Sequence, residues 1–261
     1  HVIPFPGIDP VAVHIGPLAI RWYGLAYVTG ILSAWWLMKR RAGARPASGW
    51  TEDQVGDLTF YAALGLVIGG RLGHVLFYDF PLYVKDPLAV LKVWQGGMSF
   101  HGGLIGVLLA AACYARKAGK RFLEVTDLVA PVVPIGLLLG RLANFVNGEL
   151  WGTPTDLPWG VVFPHPAAGD LPRHPSQLYE ALLEGVLLFA WLWTFSKKPR
   201  AIGVVSGAFL VGYSCARFLV EFVRAPDVQL GYLALGWLTM GQVLTVPMLL
   251  AGLWLCLRPR R

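Results

Sequence analysis

The chain has 261 residues, of which 56% are hydrophobic and only 14% are charged. Such a composition excludes an ordinary water-soluble domain and predicts an integral membrane protein that crosses the bilayer several times. The net charge of +7 would suggest nucleic-acid binding in a soluble protein. In a membrane protein, however, cytoplasmic loops and anionic lipids require lysine and arginine, so we predict no nucleic-acid partner.

Apolar stretches of about 20 residues predict an all-α integral membrane protein with seven transmembrane helices, in a single membrane domain over residues 1–261. Residues 1–17 are punctuated by proline and glycine, and we expect an extended or amphipathic entry segment near one membrane surface. Pro131 and Pro134 should kink the fourth span, and the run from Arg224 to Asp227 should end the sixth. The spans cover roughly residues 18–38, 58–78, 98–115, 123–147, 177–195, 201–223 and 237–257.

The distribution of basic residues predicts the orientation of these helices. Fourteen lysines and arginines fall in the connections after spans one, three, five and seven, against four after spans two, four and six. By the positive-inside rule, this bias places the C-terminus in the cytoplasm and the N-terminus outside. The loops 79–97 and 148–176 are then extracytoplasmic, and the second should form a small cap.

Polar residues in the predicted spans fall at the outer ends of six helices, so they should share one layer. A transporter should instead carry polar groups near the midplane of the bilayer. The inner half here is nearly all Leu, Val, Ala and Trp, which favours a site open to the outer leaflet. The residues of the predicted layer are Arg21, Tyr23, Arg71, His74, His101, Arg141, Asn144, Arg173, His174, Glu180, Arg217 and Glu221.

Two pairs in this layer indicate anion binding. Arg141 and Asn144 are spaced i, i+3, and Arg217 and Glu221 are spaced i, i+4, so each pair shares a helix face. An arginine inside hydrocarbon costs about 2.5–3.5 kcal/mol on insertion scales, and it therefore requires a partner or a ligand. Guanidinium groups with amide donors nearby form a receptor for phosphate or carboxylate. In a bilayer, the natural phosphate is a phospholipid headgroup.

His101 is followed by Gly102 and Gly103, which permit close approach of a ligand. It suits a general base near neutral pH, with a weak acid such as a thiol as the proton donor. The three cysteines, Cys113, Cys215 and Cys256, lie in apolar stretches without zinc-binding spacing, so we predict no metal and no cofactor.

Residues 140–152, with the sequence GRLANFVNGELWG, resemble the signature of bacterial prolipoprotein diacylglyceryl transferases. The resemblance implies transfer of the diacylglyceryl group of phosphatidylglycerol to the lipobox cysteine thiol of a preprolipoprotein, with formation of a thioether and release of glycerol phosphate. It also implies a multi-pass protein of the bacterial inner membrane, with its active site on the periplasmic side. Further blocks resemble the family in the family's order over nearly the whole chain: residues 21–24, 69–71, 97–103, 173–180 and 217–227.

The same resemblance implies roles for single residues. We expect Arg141 and Arg217 to hold and polarise the lipid phosphate, while His101 takes the cysteine proton. The implied partners are phosphatidylglycerol and the preprolipoprotein signal peptide that carries the lipobox cysteine. The implied catalytic residues are Tyr23, His101, Arg141, Asn144, Glu149 and Arg217, and the implied substrate-binding residues are Arg71, Arg141, Asn144, Gly152, Tyr213, Arg217 and Glu221.

Alternatives stay open at this point. A transporter or flippase for an anionic phospholipid would also require outward-facing arginines, and a non-catalytic lipid-binding scaffold would tolerate the loss of His101. Single residues also have structural alternatives. Arg141 and Arg217 could form ion pairs with Glu149 or Glu221, Arg71 and His74 could cap a helix, and Arg21 and Tyr23 could be interfacial anchors. Glu180 and Glu184 could form hydrogen bonds between helices or to a loop, and Gly65, Gly69, Gly70 and Gly73 could allow close helix packing.

Overall fold

The computed structural model describes residues 3–16, 18–45, 48–77, 80–91, 98–225, 233 and 238–258. Predictions that concern Lys92, Gly97, Pro226, Asp227, Arg260 and Arg261 fall outside these ranges. The described chain is mostly helical. Its α-helices are α1 (Trp22–Ala44), α2 (Glu52–Phe77), α3 (Phe80–Lys85), α4 (Phe100–Lys117), α5 (Phe122–Val129), α6 (Val133–Val146), α7 (Ser176–Glu180), α8 (Leu188–Phe195), α9 (Val204–Glu221) and α10 (Met240–Leu257).

Four short strands make the chain less purely helical than the all-α prediction. β1 (Ile3–Pro4) pairs in parallel with β4 (Val161–Val162), and β2 (Val11–Ile15) pairs antiparallel with β3 (Leu18–Arg21). The β-branched residues of β2 favour an extended backbone, which confirms the extended entry segment. The predicted start of the first span at residue 18 is wrong, because Arg21 ends β3 and α1 begins at Trp22.

Four helical stretches of the described chain are long and apolar enough to cross a membrane: α2, Ser176–Phe195, α9 and α10. The pair α5 and α6 makes a fifth if the two helices are counted as one span. α1 and α4 occupy the first and third predicted positions as helices of 23 and 18 residues, but they are not among the helices that are long and apolar enough to cross a membrane. The chain is therefore a mostly helical membrane protein with four or five candidate spans, and the number seven stays a prediction.

The fourth predicted span is broken where its prolines lie. α5 ends at Val129 and α6 begins at Val133, with Pro131 between them and Pro134 in the first turn of α6. Proline has no N–H and clashes with the preceding turn, so it interrupts a helix, whereas it is tolerated in a first turn. The predicted kink is confirmed as a full break.

The fifth predicted span changes its winding midway. A π-helix (Ala181–Leu187) joins α7 to α8, and it carries Glu184 near its middle. Such π-helical segments are rare and occur frequently at functional sites. Nothing in the hydropathy of this stretch indicated the change in winding.

Contacts divide the chain into two compact units, which we call the first unit (His1–Ala34 with Val129–Arg261) and the second unit (Trp35–Leu128). In the second unit, α2 packs against α4 at a glycine seam that consists of Gly65, Gly69 and Gly73 on α2 and Gly102 and Gly106 on α4. A Cβ atom on Gly69 would collide with the carbonyl oxygen of Gly102 and would lie 2.8 Å from Cα of Gly106. Small residues thus let the two backbones touch, which confirms the predicted close packing.

In the first unit, residues 148–176 fold into a small cap. Its core consists of the buried side chains of Val161, Phe163 and Ala168. Phe5, from the entry segment, packs against this core, and β1 pairs with β4 inside the cap. The entry segment and the cap therefore stabilise each other.

Candidate active site

One buried carboxylate in the first unit binds three arginines. Glu180, the last residue of α7, has no accessible side-chain surface. Its Oε2 lies 2.7 Å from Nε of Arg141 and 2.9 Å from Nη1 of Arg217, and its Oε1 lies 3.1 Å from Nη1 of Arg224. Arg141 lies about one and a half turns before the end of α6, and Arg217 lies about one turn before the end of α9.

Arg217 has a second acid on its own helix. Its Nη2 lies 3.1 Å from Oε2 of Glu221, the pair predicted from the i, i+4 spacing. Oε1 of Glu221 accepts a hydrogen bond of 3.0 Å from Oγ1 of Thr239. Thr239 caps the N-terminus of α10, where Gln242 completes a reciprocal capping box. The start of α10 is therefore tied to the arginine at the end of α9.

A series of hydrogen-bonded side chains leads from Arg141 along the signature segment, residues 140–152. Nη1 of Arg141 lies 3.5 Å from Oδ1 of Asn144, and Nδ2 of Asn144 donates to Oε1 of Glu149 at 2.9 Å. Asn147 donates to the same glutamate oxygen at 3.3 Å. The backbone carbonyl of Glu149 in turn accepts from Nε2 of the fully buried Gln177 at 2.6 Å. Asn144, which is itself supported by Glu149, therefore contacts Nη1 of Arg141, whereas Glu180 contacts its Nε.

Glu184 lies one turn after Glu180 and is equally buried. Its Oε2 lies 3.9 Å from Nε of Arg141, and its Oε1 lies 4.0 Å from Nη1 of Arg217. Neither oxygen accepts a hydrogen bond from the described part of the chain. We call the six residues Arg141, Glu180, Glu184, Arg217, Glu221 and Arg224 the arginine–glutamate cluster.

Two tyrosines at the start of α1 lie close to this cluster. Tyr23 and Tyr27 are joined by a side-chain hydrogen bond, with ring centroids 5.3 Å apart, and Tyr27 lies within electrostatic range of Arg141. Tyr213, one turn before Arg217 on α9, stacks on Phe209 at 5.9 Å. Tyr23 and Tyr213 were predicted site residues, whereas Tyr27 was not recognised in the sequence.

Gly152 lies where the cap meets the segment after α9. Its N–H donates to the carbonyl of His174 at 2.8 Å, and its carbonyl accepts from Nη1 of Arg173 at 3.1 Å. A Cβ atom at this position would collide with the carbonyl oxygen of Val223 and would lie 2.6 Å from Cβ of His174. This crowding is the physical reason for glycine here, and the predicted substrate contact stays a prediction.

His174 itself lies in the cap. Its Nδ1 lies 3.1 Å from the hydroxyl of Tyr179, which also accepts from Nε1 of Trp159 at 2.7 Å. Burial lowers the pKa of His174. The imidazole is therefore neutral at physiological pH and acts as part of the fold of the cap.

Arg71 and His101 belong to the second unit. Arg71 is buried, and its guanidinium donates to the carbonyls of Ala89 at 2.6 Å and Val90 at 2.9 Å while it lies over the ring of Tyr83. It therefore fastens the 3-10 turn Pro87–Leu91 to α2. This is a structural role, and contact of Arg71 with a substrate stays a prediction.

His101 is the second residue of α4, and its side chain is exposed. The start of this helix is fixed by Ser99, whose backbone N–H donates to the carbonyl of Gly70 at 2.8 Å. The Ser99 hydroxyl also caps α4 by accepting from the N–H of Gly102 at 3.2 Å. The histidine thus projects from a well-anchored helix terminus, the kind of support that a catalytic side chain requires.

The sequence identified the arginines of the site but not their common partner. The structural alternative for Arg141 named Glu149, but its direct partner is Glu180, and Glu149 is reached through Asn144. The predicted interhelical role of Glu180 is confirmed. Arg224 was named only as part of the run that ends the sixth span, although its i, i+7 spacing from Arg217 could have indicated that the two share a face.

The chain is similar to known proteins over nearly its whole length. The family model described as prolipoprotein diacylglyceryl transferase matches residues 10–258. A phosphatidylglycerol--prolipoprotein diacylglyceryl transferase from Nitratidesulfovibrio vulgaris (strain DSM 19637 / Miyazaki F) is 60% identical over 259 residues, which cover 99% of this chain and 97% of the relative. Proteins of the same name from Solidesulfovibrio magneticus and Azotobacter vinelandii are 60% and 58% identical, over 97% and 96% of this chain and 95% and 94% of their own lengths.

These matches confirm the resemblance drawn from the motifs. They run through the entry segment, the signature segment that contains Arg141, and the cap, rather than through one motif alone. The chain belongs to the prolipoprotein diacylglyceryl transferase family.

Proposed function

We propose that this chain transfers the diacylglyceryl group of phosphatidylglycerol to the thiol of a lipobox cysteine in a preprolipoprotein. The sulfur attacks the glyceryl carbon that carries the phosphate, and a C–S bond forms. The C–O bond to the phosphate breaks, and glycerol phosphate leaves with the bonding electron pair while the thiol proton passes to a base. Family membership and the printed names of full-length relatives, which specify phosphatidylglycerol and prolipoprotein, support this reaction.

The observation that carries the assignment to the arginine–glutamate cluster is the convergence of two arginines on one carboxylate oxygen. Arg141 and Arg217 come from different helices, and both lie within 3 Å of Oε2 of Glu180. Their side chains keep 18% and 15% of their surface accessible, whereas Glu180 keeps none. Two guanidinium groups held this close together can bracket a phosphate and stabilise the charge that develops as it leaves.

The remaining roles combine this cluster with residues that the family resemblance implies. Arg141 and Arg217 bind the lipid phosphate, while Asn144 and Glu149 orient Arg141 and Glu221 orients Arg217. His101 takes the proton of the cysteine thiol, because its imidazole is exposed at the anchored start of α4 and can accept a proton there. Tyr23, Tyr213 and Gly152 shape the binding site for lipid and peptide, and a substrate contact of Arg71 is proposed on the family resemblance alone.

The enzyme lies in the bacterial inner membrane as a seven-span protein, with its N-terminus outside, its C-terminus in the cytoplasm and its active site on the periplasmic side. Many large apolar side chains face outward on the helices, such as Leu109 on α4 and Trp254 on α10, each 62% exposed. Soluble proteins rarely expose contiguous apolar surface of this kind, whereas lipid covers it. The excess of basic residues in the connections assigned to the cytoplasm supports the orientation.

A reconstituted reaction tests this function. Purified protein is mixed with phosphatidylglycerol and a synthetic lipobox peptide, and the product is identified by mass spectrometry. We expect a peptide that is heavier by one diacylglyceryl group attached through a thioether. A peptide with serine in place of the lipobox cysteine is the matched control and should stay unmodified.

Folded protein that binds the lipid but forms no thioether would contradict the enzymatic function. If that protein instead moved phosphatidylglycerol between leaflets of a vesicle, the flippase alternative would replace it. Lipid movement is measured on the same preparation with a fluorescent phosphatidylglycerol.

A further inference from the structure

Glu184 differs from the other acids of the arginine–glutamate cluster in how it is satisfied. Glu180 contacts three guanidinium groups at 2.7–3.1 Å, and Glu221 contacts Arg217 and the hydroxyl of Thr239. Glu184 is fully buried, yet within the described chain it lies no closer than 3.9 Å to a guanidinium nitrogen and accepts no hydrogen bond. Among the three acids, it is the one whose charge the protein stabilises least.

The charges of the cluster leave no excess for an anion. If all six residues are ionised, three arginines balance three glutamates. A phosphodiester that binds to Arg141 and Arg217 adds one negative charge to this low-dielectric site. An added buried charge is strongly unfavourable unless another group is neutralised, and a carboxylate is neutralised by taking up a proton.

The position of Glu184 suits it to that proton. The charged and titratable groups that face it are Glu180 on α7, Arg141 on α6, Tyr213 and Arg217 on α9, and Arg224 beyond α9. Protonation of Glu180 instead would weaken three close ion pairs, and protonation of Glu221 would weaken one. Protonation of Glu184 breaks no hydrogen bond to the described chain and adds an O–H donor that can point at a phosphate oxygen.

We propose that Glu184 is the proton-holding residue of the site: it is neutral when a phosphodiester lipid headgroup is bound between Arg141 and Arg217, so that lipid binding and proton uptake at Glu184 are coupled. The inference rests on the proposed function, since it takes the phosphate of the lipid as the anion. It makes Glu184 a positioning and charge-balancing residue rather than the base for the thiol. The π-helix that carries Glu184 directs this carboxyl toward the two arginines.

Lipid binding at several pH values tests the coupling. Dihexanoyl phosphatidylglycerol is titrated into detergent-solubilised protein by calorimetry between pH 5.5 and 8.5, without peptide, so that no turnover occurs. The charge of a phosphodiester does not change in this range. For the wild type we expect the dissociation constant to rise with pH, by up to about tenfold per pH unit, because the proton required for binding becomes scarce.

Glu184→Gln keeps the shape of the neutral acid and removes its titration. We expect this variant to bind the lipid with an affinity that does not change with pH and that matches the wild-type affinity at pH 5.5. The matched control is Asp170→Asn, which changes an exposed acid of the cap and should retain the wild-type pH dependence. A wild type without pH dependence, or a Glu184→Gln variant that keeps it or binds more weakly than the wild type at pH 5.5, would overturn the proposal.

A second measurement needs no variant and therefore does not depend on the folding of one. The heat of lipid binding to the wild type is compared at pH 8 in HEPES and in Tris, whose ionisation heats differ. We expect about one proton taken up per lipid, and no uptake would contradict the coupling. Failure of the proposed function is distinguishable, because in that case the wild type forms no thioether product, whereas failure of the coupling alone leaves product formation intact.

Discussion

Among single residues, Arg141 is the one whose position matters most for the proposed reaction. Its guanidinium lies between Glu180 and Asn144, so its position is fixed before any lipid arrives. We expect Arg141→Ala to lower product formation by about 10²–10³-fold, the usual effect of removing one donor that stabilises developing negative charge. Thioether formation by purified variants measures this effect.

The matched control for that variant is Arg200→Ala, which removes an exposed arginine of the same unit. This control should keep wild-type activity. Both variants should be recovered from the membrane at wild-type levels. Full activity in Arg141→Ala would remove this residue from the mechanism.

His174 predicts how the cap responds to acid. Burial lowers the pKa of His174 in the folded protein below the value of about 6.5 that an unfolded histidine has. The unfolded state therefore binds more protons as the pH falls through this region, and the stability that the neutral imidazole contributes is lost. We expect the melting temperature of the wild type to fall between pH 7.5 and 5.5, and to fall less in His174→Gln, as measured by thermal unfolding in detergent.

The sequence reveals some residues of the site and not others, for a physical reason. A charge in an apolar stretch is visible because it is unfavourable there, which is why Arg141 and Arg217 were identified. Which acid neutralises each of them depends on packing between segments far apart in the chain, such as α7 and α9. No local pattern encodes that choice, so Glu180 was recognised as a hydrogen-bonding residue but not as the centre of the site.

At the scale of helices, we expect substitution of glycine by alanine to change the stability of the protein in opposite directions at two positions, one in the glycine seam between α2 and α4 and one on α6. Gly69→Ala should destabilise the protein by about 1–3 kcal/mol, because the added Cβ would collide with the backbone of α4. Gly136→Ala should stabilise α6 slightly, by up to about 1 kcal/mol, because its Cβ meets open space and alanine is the better helix former. Unfolding in detergent compares the two variants, and equal effects would mean that the seam is not tightly packed.

The helices were predictable where a short stretch of sequence determines them. Apolar runs located the helical stretches, and Pro131 located the break between α5 and α6. The start of α1 was placed four residues too early because the β2–β3 hairpin continues the apolar pattern up to Arg21. The π-helix was missed because its extra residue per turn leaves no mark in composition.

At the scale of the whole molecule, the orientation across the membrane is directly testable. We expect a cysteine introduced at Asp170, in the cap, to react with a membrane-impermeant thiol reagent in intact spheroplasts. A cysteine at Lys198, between α8 and α9, should react only after the membrane is permeabilised. Both are placed in a chain whose three natural cysteines are replaced by alanine, and the reverse labelling pattern would contradict the predicted orientation.

Membership of the family was predictable from sequence because the motifs are distributed over nearly the whole chain. The number of spans was less certain, since helices such as α1 carry Lys39, Arg40 and Arg41 within their last turns and so blur the edge of the apolar run. A small cap was predicted over residues 148–176, but its internal fold was not. Its fold depends on pairing between β1 and β4, which are more than 150 residues apart in the chain.

Whether Arg141 and Arg217 together bind the phosphate of the lipid can be seen in a structure with phosphatidylglycerol bound. We expect phosphate oxygens within hydrogen-bonding distance of both guanidinium groups, with Glu180 still buried beside them. A phosphate that lies elsewhere, with Arg141 and Arg217 paired only to Glu180 and Glu221, would contradict the claim.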